Sequence, residues 1–155
     1  MTGTPEAIRR EIVVGVDPSR AFDIFTADMT SWWPSAHHIG SAPIRRVVIE
    51  PRAGGRWYTE HENDTETSTG FVVAWEPPSR LVITWQIGAD WQYHTDLVTT
   101  VEVRFEPTGD GRTRVRLEHR DLDAFGADAE AMHKTFDDPG AWTSTLDAYA
   151  TAAAA

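Results

Sequence analysis

The sequence predicts an α+β fold in which one strongly curved antiparallel sheet of about six or seven strands wraps around a long C-terminal helix. Three observations carry this. Strand-like segments follow one another between residues 44 and 120 with short turn-forming links, two short helical segments follow the first strand, and an amphipathic stripe closes the chain.

The first strand is Ile8 to Val14, an imperfect alternation rich in β-branched residues that ends at Gly15. Asp17 followed by Pro18 reads as an N-cap with proline at the first helical position, and Ala21, Phe22 and Phe25 share one helical face. Met29 to Pro43, with Trp32, Trp33, Pro34, His37, His38 and Gly40, reads as a second short helix breaking into a loop. The later strands are expected at Val47 to Glu50, Arg56 to His61, Gly70 to Trp75, Leu81 to Ile87, Leu97 to Glu106 and Arg112 to Arg120. Links such as Arg52-Ala53-Gly54-Gly55 and Pro107-Thr108-Gly109-Asp110-Gly111 imply antiparallel neighbours.

Alternation in the last two strands leaves one face wet and the other in need of a cover. Phe125, Ala129, Met132 and Phe136 supply it at helical spacing, and Trp142, Leu146 and Tyr149 form a second stripe. An unbroken helix would turn about 240° between Phe136 and Trp142, so a break near Asp138-Pro139-Gly140 is expected if both stripes face the same sheet. The terminal alanines are expected to fray.

With 155 residues, one domain over 1–155 is expected. Fourteen basic against twenty-four acidic side chains give a formal charge of -10, which argues against nucleic acid and anionic membrane surfaces as partners. The absence of cysteine removes disulfides, thiol nucleophiles and thiolate metal sites. The first residues lack the pattern of a secretory signal, and no apolar run reaches membrane-spanning length, so a cytoplasmic location is expected.

Asp17-Pro18-Ser19-Arg20-Ala21-Phe22, Trp32-Trp33-Pro34, Glu50-Pro51-Arg52-Ala53-Gly54-Gly55-Arg56-Trp57-Tyr58, Trp75-Glu76-Pro77-Pro78-Ser79-Arg80-Leu81, Thr84-Trp85 and Gly140-Ala141-Trp142 occur in that order. Together they resemble the START and polyketide-cyclase-like helix-grip superfamily (SRPBCC), and more closely its branch of homologues of the heat-shock-protein-90 ATPase activator. The resemblance covers nearly the whole chain. It implies a pocket between sheet and closing helix, with Trp33, Trp57, Phe71, Trp85, Met132, Phe136 and Trp142 as candidate wall residues.

His119 continues the inward phase of Val115 and Leu117 and has three readings: an imidazole satisfied by a backbone carbonyl, a ligand contact, or a general base. His61, in phase with Trp57 and Thr59, is a second candidate, and His37 and His38 are candidate gate residues in a loop over the pocket. No ligand spacing for a metal is present, and neither a Gly-x-Ser-x-Gly elbow nor a phosphate loop occurs. No cofactor is expected.

Three function classes remain open. One is a binding domain for a small apolar or aromatic ligand, without catalysis. Another is a cyclase, dehydratase or hydrolase acting on a polyketide-like substrate. The last is a chaperone-contacting interaction domain, which the branch implies. A monomer or a homodimer is expected in each case.

Overall fold

The computed structural model describes residues 6–35, 37 and 39–154. Seven strands form one antiparallel sheet: β1 (Ile8–Val14), β2 (Ile44–Ile49), β3 (Arg56–His61), β4 (Glu66–Glu76), β5 (Arg80–Trp85), β6 (Thr99–Pro107) and β7 (Thr113–Arg120). Their spatial order is β1-β7-β6-β5-β4-β3-β2. The first two strands in the chain are therefore the two edges. Helices α1 (Pro18–Thr26) and α2 (Met29–Trp32) bridge them, and α3 (Ala129–Asp137) and α4 (Ser144–Ala154) lie in the concavity. No helix among the described residues is long and apolar enough to cross a membrane.

The local signals act as expected at the start of α1, where the Asp17 carboxylate accepts the Arg20 amide at 2.8 Å. The C-terminal helix breaks where its two apolar stripes fall out of phase. Asp138 leaves α3 with extended backbone, its carboxylate accepts the Gly140 amide, and a π-helical turn at Pro139–Thr143 restarts the helix. Two expectations are corrected. Phe125 belongs to a 3-10 segment, Leu122–Asp128, because Gly126 (φ 61°, ψ -123°) separates it from α3. The alanine run stays helical to Ala154, with Ala153 packed into the core.

The concavity has two ends. One is filled by aromatic rings: Phe22 and Phe25 from α1 meet Phe105 from β6, and Tyr149 from α4 meets Phe25 and Trp32, with centroids 5.2 to 5.8 Å apart. The Tyr149 hydroxyl donates to the Ala21 carbonyl at 2.8 Å, which ties α4 to α1. The other end, beneath β2 to β5, is left partly open.

Strand β4 is bulged twice. Trp57 pairs with Gly70 but Tyr58 with Ser68, and Val72 pairs with Ile83 but Ala74 with Val82, so each bulge inserts one residue and reverses the inward phase. Thr67 and Thr69 face the concavity before the first bulge, and Val72 packs into the core after it. At the bulge the backbones of β4 and β5 nearly touch: a Cβ on Gly70 would stand 2.0 Å from the Thr84 carbonyl oxygen. Gly70→Ala should therefore lower stability by about 3 kcal/mol or more, or abolish folding, as overpacking against backbone does. A urea or thermal midpoint close to wild type would show that the bulge can open.

Candidate functional site

The unfilled end is a chamber of about 700 Å3 between the sheet and the C-terminal helices. Trp57 on β3 and Trp85 at the end of β5 supply the sheet wall. Phe136 on α3 and Trp142 in the π turn supply the helical wall, and Trp33 and His37 close it from the loop after α2. Thr59, Thr67, Thr69, Thr135 and Thr145 add hydroxyls, Val47 and Ile87 add aliphatic surface, and Lys134 and Asp138 add charge.

Four of these tryptophans form a closed ring. Trp33 meets Trp57 at 5.8 Å, Trp57 meets Trp85 at 5.9 Å, Trp85 meets Trp142 at 6.2 Å and Trp142 returns to Trp33 at 6.4 Å, all edge to face. Edge-to-face packing aims the positive edge of one indole at the negative face of the next, which fixes the rings relative to one another.

Three of the four indole N–H groups are used. Trp33 donates to the His37 carbonyl at 2.7 Å, Trp85 to the Ile87 carbonyl at 3.2 Å, and Trp142 to Nδ1 of His119 at 3.1 Å. The fourth, Nε1 of Trp57, is the one buried side-chain polar atom without a partner among the described residues, in a residue only 1% exposed. A buried donor left unmade costs about 1 to 3 kcal/mol.

His119 is fully buried behind Phe136 and Trp142, with ring centroids 4.5 and 5.8 Å away. Its tautomer follows from its neighbours. Trp142 can only donate, so Nδ1 accepts. The Thr99 hydroxyl donates to the Trp85 carbonyl at 2.7 Å and takes the Nε2 proton at 2.8 Å. Hydrogen bonds thus run in one direction from the helical wall through β7 and β6 to β5. His119 is held by side chains rather than by a backbone carbonyl, and it does not reach the chamber surface.

Burial pushes the His119 imidazole down to about 3. His37, half-buried in the chamber wall, is also shifted down by burial, partly offset by a hydrogen bond to the Gly140 backbone; its Nδ1 lies 3.3 Å from the Thr145 hydroxyl. Both rings are neutral near pH 7.

Other candidates fall elsewhere. Phe71 is a correction: the Thr69 bulge turns it to the outer face, where it is 38% exposed. Met132 is also corrected, since it packs in the closed core under α3 instead of lining the chamber. His61 is buried between the Ala42 carbonyl and the Thr67 hydroxyl, both at 2.8 Å from its ring nitrogens. His38 lies outside the described residues. No group of three or more metal-ligating side chains assembles among the described residues.

Trp91 is a wall residue that alternation does not reveal. It sits in the link between β5 and β6, 52% exposed, with φ at +58°, a conformation that a bulky side chain adopts only under strain. The Trp91 amide donates to the Gly88 carbonyl and the Asp90 carboxylate holds His94 at 2.8 Å, so the link keeps its shape around the strained residue.

Two outcomes test this geometry. In the folded protein His119 stays neutral, while the unfolded chain takes up a proton near 6.5, so stability is complete above that pH and falls on acidification toward 3, by up to about 1.4 kcal/mol per pH unit from this group. His119→Gln retains an acceptor and a donor without the titration, and the drop in its urea midpoint between about pH 7.5 and 5.5 should be smaller than in wild type. Trp91→Gly removes the positive-φ strain and should raise the thermal midpoint by about 1 kcal/mol equivalent. A lowered midpoint would mean that the indole contributes more to stability than the strain costs.

Comparisons with known proteins agree with the geometry. Among curated proteins none matches the chain significantly. Among solved structures, the anthrahydroquino-γ-pyrone synthase Txn09 is 34% identical, with a TM-score of 0.66 over 97% of this chain and 99% of that one. CalC, a self-sacrificing resistance protein from Micromonospora echinospora, is 25% identical, with a TM-score of 0.72 over 95% and 93%. Protein NE0264 from Nitrosomonas europaea, at 15% identity and a TM-score of 0.67 over 95% and 93%, shares the fold. The sequence profile of the family described as Activator of Hsp90 ATPase homolog 1-like protein matches residues 16–150, and the chain belongs to that family.

Proposed function

We propose that the protein binds a planar, oxygenated aromatic molecule of polyketide type in the tryptophan-lined chamber. The observation that carries this reading is the cluster of four mutually packed indoles in the lining of a cavity of about 700 Å3, a size common for small-molecule sites. Aromatic surface along the lining suits stacking with a flat guest.

A second reading, a cyclase-type enzyme, is favoured by the 34% identity to a pyrone synthase. His37 is the described histidine that lines the chamber, and its neutral ring is the candidate base in that reading. A binder needs no such group, and the buried, fully bonded His119 serves equally well as a brace in both.

The test is titration with a hydroxyanthraquinone such as emodin, followed by quenching of tryptophan fluorescence. Saturable binding is expected, weakened about tenfold or more by Trp142→Ala and about fivefold by Trp57→Phe through lost aromatic surface. Equal affinity in wild type and both variants would remove the chamber as the site. Incubation with the substrate of Txn09, followed by mass spectrometry, separates the two readings: formation of the pyrone by wild type but not by His37→Ala would replace binding by catalysis.

A further inference from the structure

Of the 14 basic residues, thirteen are arginines and one is a lysine, Lys134. Every arginine is paired with a carboxylate, at distances from 2.6 Å for Arg120 and Glu102 to 3.8 Å for Arg20 and Asp28. The Lys134 ammonium has no carboxylate or hydrogen-bond partner among the described residues, and Lys134 lines the chamber. Two carboxylates stand at helical spacing from it, Glu130 four residues before on α3 and Asp138 four residues after, and neither is within ion-pair distance. The Asp138 carboxylate instead accepts the Gly140 amide at 2.8 Å.

The location is informative against the background charge. A protein of formal charge -10 repels anions in general, so an exposed cation on an aromatic chamber creates a local exception.

Resting on the reading of the chamber as an aromatic-ligand site, we propose that Lys134 is its anion-binding subsite and that the ligand is an aromatic acid or phenolate. The flat rings lie along the aromatic lining while the anionic oxygen meets the ammonium. Asp138, on the same lining, is held by its cap and disfavours a second negative group beside the first.

Two fluorescent probes of nearly equal shape test the proposal, 8-anilino-1-naphthalenesulfonate and neutral N-phenyl-1-naphthylamine. Lys134→Met should weaken the sulfonate about fivefold and leave the neutral probe within about twofold, whereas Lys134→Arg should keep the sulfonate within about twofold of wild type. Raising salt from about 20 to 300 mM should reduce the wild-type preference for the sulfonate and leave the Lys134→Met affinities nearly unchanged. If both probes bind wild type but Lys134→Met affects them equally or not at all, the subsite is refuted and the chamber reading stands. If neither probe binds wild type, the chamber reading fails and the subsite with it.

Discussion

The chamber depends on one directed line of hydrogen bonds, from the Trp142 indole to His119, from His119 to Thr99, and from Thr99 to the Trp85 carbonyl. It crosses the protein from the closing helix to the fifth strand, and its polarity is imposed by a donor that cannot accept. A protonated imidazole would set two N–H groups against each other at Nδ1, so burial and hydrogen bonding both select the neutral ring. Its ends are the Trp142 indole on the helical wall and the Trp85 backbone on the sheet wall. The His119 ring therefore has both nitrogens committed to hydrogen bonds within the fold.

The second determinant is the interruption of the C-terminal helix. A straight helix would carry Phe136 and Trp142 to different sides, and the added π turn brings both onto the chamber. The same turn consumes Asp138 as a cap. Wall shape thus comes from one backbone event, whose sequence signature is three residues long.

That event could be read from the chain, because Asp138-Pro139-Gly140 sits between two stripes that no regular helix can superimpose. Strand phases, the Asp17 cap and the wall positions of Trp33, Trp57, Trp85, Phe136 and Trp142 were legible for similar reasons, since local propensity and alternation agree there with the tertiary environment. Phe71 was not, because bulges are created by cross-strand packing around Gly70 and leave only a glycine in the sequence. Met132 was misplaced because one helical face serves both closed core and chamber, and periodicity does not distinguish them. Trp91 sits in an irregular link where no period exists to place it. The isolation of Lys134 could be suspected from its being the chain's single lysine, yet it becomes visible only once every arginine is seen to be matched.

The sheet order has a consequence for how the protein is made. Strand β1 pairs with β7, so Ile8 must wait for His119, more than a hundred residues away, before its backbone is satisfied. The strand most recently added to the sheet is then the one that emerged first from the ribosome, and the Trp142 contact that completes the chamber arrives later still. Contacts of such high sequence separation slow the search for the native state. Until the last forty residues are available, the concave face lacks its lid, and its aromatic lining is exposed to whatever apolar molecules or chaperones the cell offers it.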